Sequence, residues 1–193
     1  MDAAYAQLTG DLQQNLELVL NENNALVKKT DISQLVPFVD CIRQANRIFI
    51  IAAGRSGFAM QSAAMRLMHL GLTVYVVGET TTPAIQAGDI LITASGSGTT
   101  SSVVRAAEKS VAAGAKVLVF STNNTSPLAR LAAHVMVIPA AGKQEHNSEL
   151  SRQYAGSLFE QFLLLLTDAL FQSLWKLDGT PAEALWKRHA NLE

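Results

Sequence analysis

From residue 3 to about residue 28, apolar side chains return every third or fourth position. Leu8, Leu12, Leu16, Val19 and Leu20 fall on one face of a helix, with charges and amides between them. A second helix is expected from about Ile32, capped by Asp31 or Thr30, to Ala45. Pro37 lies near its first turns, where it is either tolerated or marks a kink. The pattern then changes. "RIFIIAA" is a short, continuous apolar run rich in β-branched residues, and "GRSGFAMQSAAMRLMHLG" follows it as a helix ending at Gly71. The unit recurs as "TVYVVG" with a Thr/Pro loop, then "DILITA" with a helix reaching Gly114. "AKVLVFS" with "TSPLARLAA" and finally "HVMVIPA" complete the series.

Five such strands alternating with helices predict an α/β fold: a five-stranded parallel sheet with helices on both faces, doubly wound and flavodoxin-like. Unbroken apolar strands suit that arrangement because both faces of the sheet are covered. A long helix is expected from about Tyr154 to Lys176, closed by Asp178, Gly179 and Pro181 and followed by a short polar tail. The expected organisation is one domain over 1–193. Helices of an N-terminal arm occupy 1–45, the parallel core 46–140, and the C-terminal helix and tail 150–193.

Composition narrows the partners. The chain has 193 residues, 49% hydrophobic and 16% charged, which is globular and not disordered. Its 15 basic and 16 acidic residues leave a net charge of −1 with no basic stripe, so nucleic acid is not an expected partner. The single cysteine, Cys41, cannot form an internal disulfide and is expected to pack on an amphipathic helix. "SLFEQFLLLLTDALFQSLW" is interrupted by Glu160, Gln161, Asp168 and Gln172, too often for a membrane span. The first residues carry Asp2, Asp11 and Glu17 without a basic leader, so a cytoplasmic location is expected.

In open parallel sheets ligands bind outside the carboxyl ends of the strands. Those ends read "AGRSG", "GETTTP", "SGSGTTSS", "STNNTSP" and "PAAGK", all small, polar or glycine-bearing. The third packs six hydroxyl residues and two glycines into Ser95–Ser102. Gly96 and Gly98 allow a tight turn and close backbone approach. Thr99 and Thr100 open a helix whose free N–H groups attract an anion, and Ser95, Ser97, Thr99 and Thr100 add hydroxyl donors. One cap would need a single Ser or Thr, so a phosphomonoester site is the better reading. No lysine follows at P-loop spacing. "AAGRSG" supplies a second loop, with Gly54 and Gly57 for close approach and Arg55 and Ser56 as donors to phosphate or sugar hydroxyls. No His-x-x-x-His or cysteine pair suggests a metal, and a hydrolase elbow is present only in the shortened form "SGSG".

These two loops, in this strand setting, resemble the sugar isomerase (SIS) domain family. "VGETTTPAIQAGDILITASGSGTT", "GSLFEQ" at 156–161 and the terminal "RHANLE" resemble its 6-phospho-3-hexuloisomerase branch. The resemblance implies conversion of D-arabino-3-hexulose 6-phosphate to fructose 6-phosphate, the second step of formaldehyde fixation by the ribulose monophosphate route. It implies no cofactor, and a homotetramer or dimer with sites near subunit interfaces. Where the family pattern has Gln-Pro-Met before the second motif, this chain has Tyr154 and Ala155, which alters the pocket wall.

Moving a ketone from C3 to C2 needs a base beside both carbons and a group balancing charge on the oxygens. Glu160, at the start of an apolar helix where burial raises a carboxyl's proton affinity, is the expected base by the resemblance; its bland alternative is a glutamate satisfying the helix dipole. His189, in a tail otherwise read as frayed, is the expected acid on the sugar oxygens or in ring opening, reaching the site from a neighbouring subunit. His69, ending a helix, and Glu79, ending the second strand, are further catalytic candidates. His134 is expected to pack, and His146 carries no role. Two rivals stand beside this reading: an aldose–ketose isomerase acting on arabinose 5-phosphate, and a non-catalytic phosphosugar-binding regulatory module. About 45 residues precede the first strand and they are not basic, which counts against the module.

Overall fold

The structure is a computed structural model that describes residues 3–142 and 151–192, so His146 lies outside the described residues. Helix α1 (Ala3–Lys29) is the expected arm. The second expected helix is divided. Asp31 accepts the Ser33 N–H and opens a 3₁₀ turn, Ile32–Leu35, and α2 (Val36–Gln44) follows with Pro37 in its first turn. There the missing proline N–H costs nothing. Gln34 ties the turn to the sheet by accepting the Val137 N–H at 2.8 Å.

The strands are β1 (Ile48–Ala52), β2 (Val74–Val76), β3 (Ile90–Ala94), β4 (Lys116–Ser121) and β5 (His134–Val137). They form one sheet of order β2-β1-β3-β4-β5, and every neighbouring pair is parallel. Between them run α3 (Gly54–His69), α4 (Ser101–Ala112) and the short α5 (Pro127–Leu131). Alternate residues of each strand serve two cores. Ile48, Ile50, Ile90, Ile92, Leu118 and Phe120 face the side covered by α1, α2, α3 and the C-terminal helix. Phe49, Leu91, Val117 and Val119 meet Val103 and Ala107 of α4 and Leu128 of α5. Phe38 of α2 packs on Phe120 with ring centroids 5.0 Å apart, an arrangement that adds about 1 kcal/mol beyond simple burial.

The β2–β3 connection contains no helix. A polar clamp holds it instead. Arg47 makes a two-pronged ion pair with buried Asp89 (Nη2–Oδ2 2.6 Å, Nε–Oδ1 3.0 Å) and donates to the Ala84 carbonyl. The Gln86 amide donates to the same carboxylate at 2.8 Å. Burial works to raise the Asp89 carboxyl, but these donors outweigh it and hold the group below the usual carboxylate value.

Helix α6 (Ser157–Asp178) begins three residues later than its periodicity predicts, because Gly156 has a left-handed backbone (φ 85°) that no helix continues through. Its apolar face packs on α3 and carries seven buried residues, from Leu158 to Leu174, into the first core. The tail is not frayed. It forms α7 (Ala182–Trp186), buries Leu185, and returns His189 onto the end of α3. Among the described residues no helix is long and apolar enough to cross a membrane.

Candidate active site

Parallel strands share their direction, so their carboxyl ends open on one edge of the sheet, and a cavity of about 590 Å³ lies there. The β1–α3 turn contributes Ala53 and Ser56, and the β3–α4 loop contributes Ser95, Gly96, Ser97, Thr99 and Thr100. Thr122 and Asn123 come from the end of β4, Ala141 and Gly142 from beyond β5, and Gly156 and Phe159 from the start of α6.

The hydroxyl-rich loop is held mostly by its own side chains. Buried Ser95 Oγ accepts the Gly98 N–H at 3.1 Å and lies 3.0 Å from Thr100 Oγ1. Ser97 Oγ accepts from Thr99 Oγ1 at 2.9 Å. The Gly96 carbonyl receives hydroxyl bonds from Thr122 (2.7 Å) and Ser121 (3.2 Å), and the Gly98 carbonyl accepts the Leu128 N–H. Gly98 is the position where glycine is required: its φ is 63°, and a Cβ there would stand 2.0 Å from Ser126 Oγ. Gly96 is under less pressure, since a Cβ would meet Phe159 at an ordinary 3.6 Å. That same contact shows the first turn of α6 lying over the loop.

Three helices begin at this cavity, and none has a capping side chain. Ala53 precedes α3, Thr100 precedes α4 without bonding an amide through its side chain, and Gly156 precedes α6. Each helix start carries roughly half a positive charge on unfilled N–H groups. Together they favour a doubly charged anion without a lysine. Among the described residues no group of three His, Cys, Asp or Glu side chains could hold a metal ion.

Glu160 lies in the first turn of α6, 7% exposed, and its Oε2 is 2.8 Å from Arg55 Nε in the first turn of α3. The Arg55 guanidinium, expected as a donor to the substrate, is thus engaged with a carboxylate, although most of its side chain is exposed. Gly54 supplies the left-handed backbone (φ 61°) that starts α3, and Ser56 faces the cavity from a buried position. Glu160, Arg55 and Gly54 are chain neighbours of the lining residues Phe159, Ser56 and Ala53 but do not themselves line the cavity. The remaining candidates lie elsewhere in the chain. Glu79, exposed in the turn after β2, does not line the cavity either. His69 and His189 stack on each other, ring centroids 4.0 Å apart, beside Arg66 and Trp186. Burial lowers the His69 pKa first, and the nearby charges of His189 and Arg66 lower it further. Fourteen residues of α3 separate Arg55 from His69, about 21 Å of helix. Within one chain, then, the histidine pair and Glu160 stand at opposite ends of α3.

The sequence pattern did not single out Thr122, Asn123, Gly142, Gly156 or Phe159 as site residues. The small polar residues after the fourth strand were the available signal for the first two, and a glycine ahead of a long apolar helix was the signal for Gly156.

A doubly wound sheet of this order with an anion-favouring cavity at its carboxyl edge defines an α/β domain whose site is suited to a small phosphorylated ligand. The SIS domain family model matches residues 41–165, and the chain belongs to that family. It is 54% identical to the 3-hexulose-6-phosphate isomerase of Mycobacterium gastri over 192 residues, covering all of this chain and 96% of that protein. Identity to the Bacillus subtilis 3-hexulose-6-phosphate isomerase is 37% over 175 residues, 90% of this chain and 93% of the relative. A crystal structure from Methanococcus jannaschii, from which a 3-hexulose-6-phosphate isomerase function was inferred, superposes with a TM-score of 0.80. It is 31% identical and covers 93% of this chain and 99% of its own.

Proposed function

We propose that the protein is a 3-hexulose-6-phosphate isomerase, interconverting D-arabino-3-hexulose 6-phosphate and fructose 6-phosphate in the ribulose monophosphate route of formaldehyde fixation. The full-length identity to enzymes of that name supports the substrate. The observation that carries the chemistry is the convergence of three uncapped helix starts on a cavity beside buried Glu160. The phosphate occupies the Ser95–Thr100 loop and the start of α4, held by backbone amides and hydroxyls. Glu160 removes the proton from C2, leaving a C2–C3 enediolate, and returns a proton to C3. The O2 proton moves to O3 in the same passage, so the ketone shifts from C3 to C2 with no net gain or loss of atoms or electrons. Arg55 orients the carboxylate, and the helix starts stabilise charge developing on the sugar oxygens.

His189 serves the site of a neighbouring chain, since its own Glu160 is beyond the reach of a six-carbon sugar. A homotetramer or dimer is therefore part of the reading. The exposed stripe Leu8, Leu12, Leu16 and Leu20 on α1, each more than half exposed, supports it. We read the whole chain as one cytoplasmic SIS domain that uses no cofactor. A coupled assay on the purified protein tests the function, with fructose 6-phosphate appearing from 3-hexulose 6-phosphate as the expected result. Turnover of arabinose 5-phosphate in place of the hexulose phosphate overturns it.

A further inference from the structure

A chain of hydrogen bonds joins α1 to the residue after Glu160. Glu22, half-buried on α1, accepts from three consecutive residues: Ser151 Oγ at 2.6 Å, the Arg152 N–H at 2.7 Å and Gln153 Nε2 at 3.0 Å. Gln153 Oε1 in turn accepts from Gln161 Nε2 at 2.8 Å, and Gln161 Oε1 accepts from Asn23 Nδ2 at 2.9 Å. The network begins and ends on neighbouring residues of α1. It encloses the stretch that leads through Gly156, a wall of the cavity, into the first turn of α6.

Its chemistry is directional. Each of these three partners of Glu22 is a donor, so the site calls for a group with two acceptor oxygens and no proton of its own. Burial works against the Glu22 charge, but bonds from Ser151, Arg152 and Gln153 overcome it and leave the carboxyl below its ordinary value. The aliphatic face of α6 alone does not fix its rotation, because Leu158, Phe159, Phe162 and Leu163 present a broad apolar surface to the core. Gln161 is the polar residue of that first turn bonded to α1, and it is adjacent to Glu160 in the chain. A rotation of α6 that broke the Gln161 bonds would carry Glu160 away from Arg55.

From this geometry we infer that Glu22 is a positioning residue for the proposed isomerisation, setting through Gln153 and Gln161 the placement of the Glu160 carboxylate. It touches neither the phosphate loop nor the cavity, so its removal acts on the proton transfer and not on phosphate binding. The inference rests on the isomerase reading given above.

The test compares Glu22→Gln, Glu22→Ala, Gln153→Ala and the double variant Glu22→Ala/Gln153→Ala with the wild type, all on 3-hexulose 6-phosphate. Each is assayed well below its thermal midpoint, with assembly size checked by light scattering. The expected result is a fall in kcat on the order of 10- to 100-fold with KM within about twofold of wild type. The double variant should lose no more than the worse single one, because both break the same path. Glu22→Asp, which keeps both oxygens, should recover part of the lost kcat. Glu22→Gln preserves shape and reads the same effect if the alanine variant fails to fold. Unchanged kcat in a folded variant overturns the inference, as does a rise in KM alone, multiplying losses in the double variant, or a loss that follows altered assembly size. An inactive wild type removes the isomerase reading itself, and the positioning role with it.

Discussion

Glu160 and Arg55 meet because two helices start side by side, and their pairing decides what each side chain does. The charge-assisted bond from Arg55 Nε to Glu160 Oε2 helps to fix where that carboxylate lies. Proton abstraction from carbon depends on that placement, since general bases contribute typically about 10²–10⁴-fold to rate. Glu160→Gln keeps the volume and can still lie against the first turn of α3, but it cannot accept the C2 proton. Its kcat is expected to fall by about 10²–10⁴-fold with KM little changed, measured by the fructose 6-phosphate assay. Wild-type kcat in this variant would remove Glu160 from the role of base. At this scale the placement of the hydroxyl-rich loop on the cavity was readable from the chain, because it follows the third strand at the carboxyl edge of a parallel sheet, whereas the bonds of Ser95 to Thr100 and Ser97 to Thr99 that hold it were not. The engagement of Arg55 with Glu160 was not, since the two lie 105 positions apart and only the packing of α3 on α6 joins them.

Among the elements, the five strands followed directly from the sequence because the central ones, β1, β3 and β4, are largely buried on both faces, and the half-buried edge strands β2 and β5 keep short apolar runs. The tail escaped that logic. Its helix α7 has a single buried residue, Leu185, and is held by polar and aromatic contacts that leave no periodic trace. Arg188 donates to the His69 carbonyl at 2.8 Å, and Trp186 and His189 complete the docking. That docking has a pH dependence with a definite sign. The His69 pKa is lowered in the folded protein, so the unfolded or undocked state binds the proton more readily below the ordinary value of 6.5. Stability from this contact is therefore fully present above 6.5 and is lost as pH falls below it through the lowered value. The groups facing the ring are His189 on the tail, Arg66 on its own helix, and Arg188, with Asp168 of α6 paired to Arg66 at 3.6 Å. Thermal midpoints at pH 7.5 and 5.5 should differ more in the wild type than in His69→Phe, which keeps a stacking ring without the proton site. Equal differences would show that His69 does not carry the effect.

Across the whole molecule, two helix surfaces are spent inside the fold and one is left outside. The buried side of α1 reaches the core at Leu26 and the α6 network at Asn23, whereas Tyr5, Leu8, Leu12, Leu16 and Leu20 remain exposed. Leucines repeated every four residues along about three and a half turns form a stripe suited to another helix of the same kind. Phe58 and Met65 on α3 and Leu165 on α6 are also exposed, so the apolar surface is not confined to the arm. Glu22 sits on this same helix, which places the positioning network and the exposed stripe on one rigid body.

If the exposed stripe is where copies of the chain meet, as proposed above, heat resistance becomes a property of how much protein is present. If the leucines of α1 are covered only by other copies, each tenfold dilution weakens the folded state by mass action, and the thermal midpoint should fall with it. Leu12→Glu/Leu16→Glu, which charges the stripe while leaving the core untouched, should abolish that concentration dependence and give a single-chain mass by light scattering. A midpoint independent of concentration in the wild type over a hundredfold range would show that the stripe is not covered in this way.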